Sequence, residues 1–413
     1  MLRLLTENIL DREERIMAEW IEKSLGEIAE ITKLAGFEFT KYIEYNNDGE
    51  VIALRALNLR NGELDLTDIK RISRKVSDGL TRSKIYKDDI LLTYTGNGYG
   101  DCAIIEENDK YHLAPNICKI VPNKNVISPY YLYCYIRSKA FYNQMSNNMT
   151  GSGQPTIPMK TIRLLKIPVP ELRVQVNIAN MLWLLNQKIR NNKVINNNLE
   201  QQAQAIFSNE FLTLKTLPDG WQQASLIDIA DYLNGLAMQK YRPTVDETGI
   251  PVLKIKELRQ GCCDDNSELC SQNIKSEYII HNGDVIFSWS GSLLVDFWCG
   301  GICGLNQHLF KVTSNKYDKW FYYAWTKHHL DRFIAVAADK ATTMGHIKRD
   351  ELSKAEVLIP NEADYKRIGA LLQPIYDLII VNRIENKKLA ETRDTLLPKL
   401  MSGEIDISEV ACE

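Results

Sequence analysis

The chain has 413 residues, more than one ordinary domain holds and enough for two or three. Its 45% hydrophobic and 25% charged residues match an average folded chain and exclude wholesale disorder. Fifty basic against 53 acidic side chains, a net charge of -3, exclude a strongly basic, histone-like protein but leave room for a local basic patch.

Residues 1–23 read as an amphipathic helix, with Leu5, Ile9, Arg12, Ile16 and Trp20 near one face. Charges at Glu7, Asp11 and Arg12 break up the start, so a secretory apolar core is not expected. No uncharged apolar run approaches the ~20 residues needed to cross a bilayer. The nine cysteines are odd in number and lack a framework spacing, which reads as reduced thiols in a cytoplasmic protein.

From Ser24 onward the chain repeats itself at a period too long for a solenoid, the mark of a duplicated domain. Ser24-Leu25-Gly26-Glu27-Ile28-Ala29 is echoed by Ser225-Leu226-Ile227-Asp228-Ile229-Ala230. Within each copy the first part reads as mixed α and β. Val51 to Leu57 and Val252 to Lys256 are expected strands, closed by the turn pairs Asn61-Gly62 and Gln260-Gly261. A further strand from Asp89 to Thr95 ends in Gly96-Asn97-Gly98-Tyr99-Gly100, and Asp284 to Gly291 echoes it. Ser128-Pro129 places an N-cap and a first helical residue before the aromatic helix Tyr130 to Ile136. Trp320 to Trp325 fills the same place in the second copy. Both aromatic stripes read as core rather than base-stacking platforms.

Each copy closes with a long helix. Ile178, Leu182, Leu185, Ile189, Asn192, Asn196, Leu199, Ala203 and Ile206 step alternately by four and three, a heptad seam. Ile368, Leu372, Ile375, Ile379, Asn382, Asn386, Leu389, Arg393 and Leu396 repeat it 190 residues later. A narrow apolar stripe needs a partner, and antiparallel pairing of the two helices would set the Asn layers opposite each other. Buried Asn at Asn192, Asn196, Asn382 and Asn386 would then fix register at a cost in stability. The competing reading is that these amides are solvated or face a partner subunit. From residue 178 to 206 a helix rises roughly 42 Å, at ~1.5 Å per residue. Two domains on such a rod are suited to two short segments a DNA turn of ~34 Å apart.

Catalytic signatures are largely absent. There is no G-x-x-x-x-G-K-[ST] loop, no H-E-x-x-H and no G-x-S-x-G elbow. The run Gly96 to Gly100 does not open a dinucleotide-binding βαβ unit. Ser128-Pro129-Tyr130-Tyr131 lacks the amide or carboxylate an amino-methyltransferase loop needs. Cys262, Cys263, Cys270, Cys299 and Cys303 cluster with His281 and His308, but without a C-x-x-C pair; buried free thiols are the better reading. No metal is expected.

Arg55, Arg60, Lys70, Arg71, Arg74, Lys75, Arg82, Lys84 and Lys87 outnumber the acids in the same stretch, and read either as a track for a phosphate backbone or as a solvated face. Thr150-Gly151-Ser152-Gly153-Gln154-Pro155-Thr156 is a polar loop of small residues, with Ala341-Thr342-Thr343-Met344-Gly345-His346 as its counterpart. Backbone amides there can approach a polyanion, and Gln or His can reach a base edge.

These features resemble the specificity (S) subunit of type I restriction–modification systems over nearly the whole chain after Ser24. The resemblance rests on the strands ending in Gly96 and Gly291, on Gly151 to Ile157, and on Lys166-Ile167-Pro168-Val169-Pro170. It continues through the heptad helices, Gln201-Gln202-Ala203-Gln204-Ala205-Ile206-Phe207 and Leu396-Leu397-Pro398-Lys399-Leu400-Met401-Ser402-Gly403-Glu404-Ile405. The second loop, Thr343 to His346, departs from the Gly-Ser-Gly-Gln-Pro wording. The resemblance implies an α+β fold: target recognition domains at 24–170 and 213–360, and long helices at 171–212 and 361–401. A helix at 1–23 and a tail at 402–413 flank them. It implies no catalysis in this chain, double-stranded DNA read as a bipartite site, and two methyltransferase (M) and further restriction (R) subunits as partners. S-adenosylmethionine and ATP would belong to those partners, and no membrane is involved.

Within that expectation the DNA-binding candidates of the first domain are Arg71, Arg74, Lys75, Arg82, Lys84, Asn97, Tyr99 and Gln154. Those of the second are Lys254, Lys256, Arg259, Trp289, Lys340, Thr343 and His346. A self-contained nucleic-acid-modifying enzyme and a coiled-coil adaptor without DNA contact are the alternative functions.

Overall fold

The computed structural model describes residues 20–96, 98–151, 155–339 and 349–407. It divides into two compact units, residues 1–187 with 391–413 and residues 188–390.

The strands of the first unit are β1 (Ile21–Ser24), β2 (Ala29–Lys33), β3 (Val51–Leu54), β4 (Leu59–Arg60), β5 (Glu63–Leu64) and β6 (Lys70–Ile72). They continue as β7 (Lys84–Ile85), β8 (Ile90–Thr93), β9 (Cys102–Ile104), β10 (Tyr111–Leu113), β11 (Ile117–Pro122) and β12 (Lys166–Val169). One sheet has the order β2-β11-β8-β9, a second the order β6-β3-β10-β7, and β1 pairs with β12. All pairs are antiparallel except β3 with β10. The strands of the second unit are β13 (Gln222–Ser225), β14 (Asp231–Asn234), β15 (Ile250–Leu253), β16 (Leu269–Cys270) and β17 (Ile279–Ile280). After them come β18 (Val285–Ser288), β19 (Leu294–Phe297), β20 (Cys303–Leu305), β21 (Leu309–Thr313) and β22 (Glu356–Ile359). Its sheets, β14-β21-β18-β19, β16-β15-β20-β17 and β13-β22, repeat the first unit strand for strand, again with one parallel pair, β15 with β20. The internal duplication read from sequence is thus a duplication of topology. Only the hairpin β4-β5, turned at Asn61 and Gly62 with φ of 54° and 85°, has no partner among the described strands of the second unit.

Short-range chemistry explains where the repeated elements begin. Ser24 donates its N–H and hydroxyl to the Glu27 carboxylate at 2.6 and 2.5 Å, opening the one-turn helix Leu25–Ile28. Ser225 and Asp228 do the same at 2.8 and 2.6 Å. Both expected strands near residue 50 and residue 250 are shorter than the pattern suggested. The Arg55 N–H donates to the buried Asn58 amide oxygen at 3.0 Å, and the Lys254 N–H to the buried Glu257 carboxylate at 3.2 Å. These contacts turn the chain into the 3-10 turn Ala56–Asn58 and the helix Ile255–Gln260. Gly261, with φ of 76°, therefore caps a helix rather than closing a strand.

Each unit also holds one lysine in the same way, buried in the first and half-buried in the second. The Lys119 ammonium donates to the Lys84 carbonyl at 2.6 Å and lies 3.8 Å from Asp89. In the second unit Lys311 donates to the Ile279 carbonyl at 3.0 Å and pairs with Asp284 at 2.9 Å. Burial holds the Lys119 ammonium below its ordinary range and raises the Asp89 carboxyl above its own.

The aromatic helices are core, as their stripes suggested. Pro129–Ile136 has Ser128 at its N-cap and Pro129 as first residue, and buries Tyr131, Tyr133 and Tyr135. Lys319–His328 buries Trp320, Phe321, Tyr323 and Trp325. The long helices are Leu172–Phe207 and Glu362–Ser402. Within the first unit Asn186 meets Arg393 at 3.0 Å, and Ile178 and Leu182 share a core with Leu400 and Met401. Within the second unit Asn192 donates to Asn386 at 2.9 Å and Asn382 to Asn196 at 2.8 Å. Farther along, Arg367 forms a two-pronged pair with Glu210 at 3.0 and 2.7 Å. Partners fall in number as the first helix rises, so the pairing is antiparallel and the Asn layers face each other. Asn192, Asn196 and Asn382 are buried between the helices, and Asn386 is half-buried there.

Residues 1–19 of the expected N-terminal helix lie outside the described residues, and Ile21–Ser24 is strand β1, because it completes a ladder with Lys166–Val169. Trp20 lies against Gly403, whose added Cβ would stand 3.2 Å from the indole. No described helix is long and apolar enough to cross a membrane.

Candidate nucleic-acid interface

In the first unit the turn after β8 and the polar loop before Ile157 come together. Thr95 bridges Thr156, the Gly96 N–H donates to the Pro155 carbonyl at 2.9 Å, and the Ile157 N–H donates to the Tyr94 carbonyl at 3.0 Å. Gly96 and Gly100 adopt φ of 92° and 89°, a conformation that side-chain-bearing residues rarely take. At Gly100 a Cβ would also press on the Tyr142 ring at 3.0 Å. Tyr99 stacks on Tyr142, with ring centroids 5.3 Å apart and hydroxyls 2.5 Å apart. Beside this, the Lys33 ammonium lies 5.2 Å from the centre of the Tyr94 ring, and the Asn116 carbonyl accepts from the Tyr94 N–H at 3.2 Å. Tyr94 is mostly buried, which raises its hydroxyl pKa.

The second unit places different side chains at the same points. Trp289 follows β18 as Tyr94 follows β8, and its N–H donates to the His308 carbonyl at 3.4 Å. Asn234 ends β14 as Lys33 ends β2, and its side-chain oxygen accepts from the Trp289 indole at 3.1 Å. His308, at the place of Asn116, has its Nδ1 3.1 Å from the Ser290 hydroxyl and its Nε2 3.3 Å from the Gln307 amide nitrogen. One unit thus carries a cation over a phenol, the other an amide on an indole with an imidazole alongside. Aromatic faces and polar tips at a sheet end are the groups that stack on bases and hydrogen-bond their edges.

The cations chosen from sequence are distributed elsewhere. Arg71 sits on β6, at one edge of the second sheet, and donates to the Gly49 carbonyl at 3.3 Å. Arg74 donates to the Asp109 carbonyl at 3.0 Å while its N–H donates to Glu50 at 2.9 Å. Lys84, on β7 at the opposite edge, pairs with Asp78 at 2.5 Å. Arg82 is exposed, 3.9 Å from Glu38, and Lys75 is exposed without an ion pair among the described residues. In the second unit Lys254 pairs with Glu268 at 2.5 Å and Lys256 with Asp264 at 3.1 Å, whereas Arg259 is exposed and makes no ion pair among the described residues. Lys254, Lys256 and Arg259 belong to the start and body of a helix, not to a strand. Tyr99 and Trp289 lie in the two sheet-end clusters. Asn97, Gln154, Lys340, Thr343 and His346 lie outside the described residues.

Lys33, Tyr94 and Asn116, with Asn234, Ser290, Gln307 and His308, were not among the DNA-binding candidates read from sequence. Aligning the two copies at Tyr94 and Trp289 would have pointed to them, because both aromatics follow a strand of the same register. The eight described cysteines are free, and six are buried. Burial pushes Cys102, Cys118 and Cys134 up to about 12. Among the described residues no group of three His, Cys, Asp or Glu is placed to hold a metal ion.

A family model described as the type I restriction modification DNA specificity domain matches the chain twice, over residues 17–201 and 218–391. The type I restriction enzyme MjaIX specificity subunit of Methanocaldococcus jannaschii is 25% identical, covering 96% of each chain. The HindI specificity subunit of Haemophilus influenzae is 20% identical over 94% of this chain and 100% of its own length. A crystal structure of the S subunit of a type I restriction–modification system from M. genitalium superimposes with a TM-score of 0.60 at 14% identity, covering 94% of this chain and 98% of that one.

Proposed function

Because the chain belongs to the family of type I restriction–modification DNA specificity domains, we propose that it is a subunit that reads an asymmetric, bipartite DNA site and carries the enzymes that act there. The observation that carries this reading is the pair of sheet-end clusters. The two units share one topology but hold Lys33, Tyr94 and Asn116 in one and Asn234, Trp289 and His308 in the other. Equal scaffolds with unequal tips suit one duplex whose two halves differ in sequence. Phosphate contacts from exposed Lys and Arg supply affinity, and the aromatic and polar tips supply discrimination.

The long helices serve as the scaffold. Their seam faces are buried, yet Trp183 and Leu184 on the first, and Leu371, Leu378 and Val381 on the second, are exposed. Large apolar side chains in rows outside an existing seam are suited to further helices, here those of two methyltransferase subunits, with restriction subunits joining the assembly. In this reading the chain itself is not catalytic, S-adenosylmethionine and ATP are held by the partners, and the complex works in the cytoplasm.

Two measurements test it. The complex with methyltransferase subunits is expected to shift duplex DNA in a salt-dependent manner; no shift would leave a coiled-coil adaptor. Mapping methylated adenines in the host is expected to give a split motif, of which one half changes when residues 24–170 are exchanged for those of a relative. A continuous motif, or methyl transfer by this chain alone, would reject the reading in favour of a self-contained enzyme.

A further inference from the structure

Pro129–Ile136 and Lys319–His328 occupy the same place in the repeat, 190 residues apart. In the second unit Lys327 follows Tyr323 by one turn. Its ammonium donates to the Tyr323 hydroxyl at 3.1 Å, lies 5.4 Å from the ring centre, and is neutralised by Glu200 at 3.6 Å. The space around the pair is packed: Ala203, Phe207, Leu372 and Tyr376 are all buried, and Phe207 meets Trp325 at 5.0 Å.

The first unit repeats the motif without the acid. Arg137 follows Tyr133 by one turn, donates to its hydroxyl at 3.3 Å and lies 5.4 Å from its ring centre. Its second donor goes to the Asn61 carbonyl at 3.2 Å. Every one of these partners is neutral, and Arg137 makes no ion pair among the described residues. The residue 190 positions on from Glu200 is Ala390, which carries no charge. Where the second unit has Ala203, Phe207 and Tyr376, the first has Arg393, Leu397 and Asn186. There the packing is incomplete: Arg137, Arg393, Asp394, Asn186, Leu397 and Cys134 are among the residues that line a cavity of about 50 Å³.

The lining is arranged for a negative guest. Asn186 donates to the Tyr130 hydroxyl at 3.0 Å and turns its oxygen to Arg393, also at 3.0 Å. Arg393 further donates to Asp394 at 2.8 Å, but that carboxylate is 63% exposed and offsets one guanidinium of two. Arg137 is half-buried, so its guanidinium is partly shielded from water without a counter-charge, and its planar fork matches carboxylate and phosphate oxygens. One water needs ~10–15 Å³ on the same measure, so the cavity has room for a phosphate-sized group.

We propose that the cavity between Arg137 and Arg393 binds one small oxyanion of phosphate or sulfate size, supplying the counter-charge that Glu200 supplies in the second unit. The site is independent of DNA reading. The test is calorimetric titration of the full chain with inorganic phosphate, chloride holding ionic strength constant. The expected result is saturable binding at one site, with a rise in melting temperature. Arg137→Gln is expected to weaken it at least about tenfold, the loss of one charge-assisted hydrogen bond. Arg137→Lys, the residue the second unit uses, is expected to fold and weaken it less. Asn186→Asp places a carboxylate inside the cavity; it is expected to abolish phosphate binding and to raise the melting temperature without phosphate. Absence of saturable binding, or equal affinity in Arg137→Gln and the parent chain, overturns the proposal. If Arg137→Gln does not fold, unchanged binding by Asn186→Asp overturns it.

Discussion

Asn382 donates its side-chain amide to the Asn196 oxygen at 2.8 Å, and both residues are buried in the seam between the two long helices. Asn196 in turn donates to the Ile379 carbonyl at 3.2 Å, so the pair is tied to the backbone of the opposite helix as well as to its side chain. A slip of one heptad would leave these amides against Ile, Leu or Ala.

That geometry makes the two residues coupled in stability. Asn382→Leu alone strands the Asn196 oxygen and is expected to cost about 1–3 kcal/mol. Asn196→Leu with Asn382→Leu removes both polar groups and is expected to recover most of the loss, at the expense of a unique register. Chemical denaturation of the four members of the cycle checks this; additive losses would show that the amides act separately.

Trp289 and Tyr94 occupy matching points of the repeat. Trp289→Ala is expected to weaken binding of the assembled complex to DNA by about 1–3 kcal/mol, through the second half-site only. Tyr94 is mostly buried, so Lys33→Ala, which removes the exposed cation over its ring, is the substitution expected to act through the first. Competition between duplexes altered in one half at a time separates the two, and an equal response of both halves to either substitution would contradict the assignment.

Lys75 and Arg259 are exposed and unpaired by acids among the described residues, whereas Lys84 and Lys254 hold Asp78 and Glu268. If the first two touch phosphate, Lys75→Ala and Arg259→Ala each lower the slope of log affinity against log salt by about 0.9, with no change in sequence preference. Lys84→Ala is expected to act on stability of the fold instead. Salt titrations of the complex and thermal melts of the chain read the two effects apart.

His329 is buried with its Nε2 2.8 Å from the Glu356 carbonyl, and burial drives its pKa down to about 4. Burial also lowers His112 and His328. The unfolded chain therefore binds protons that the folded one does not, between the ordinary histidine value of ~6.5 and the lowered one. Stability is expected to be full above that ordinary value and to fall as pH drops toward 4, by up to about 3 kcal/mol for His329. In His329→Gln the decline between pH 6.5 and 4 is expected to be shallower, as denaturant titrations at each pH would register.

The amino-acid order by itself determined what depends on near neighbours. The Asn61-Gly62 turn, the Pro129 helix opening and the heptad spacing were legible because each is settled within a few residues, and the Ser24 and Ser225 phrases showed as a repeat although not as helix starts. Even there a local contact missed in reading, Glu257 with the Lys254 N–H, ended a strand early. Tertiary structure alone decided which charges are spent and which side chains meet at the sheet ends. Lys33 reaches Tyr94, Trp289 reaches Asn234, and Arg137 faces Arg393, across separations that only the sheets and helices close. Electrostatic and hydrogen-bond energies fall off over a few ångströms, so a residue's role is set by neighbours in space, and a linear pattern cannot name them.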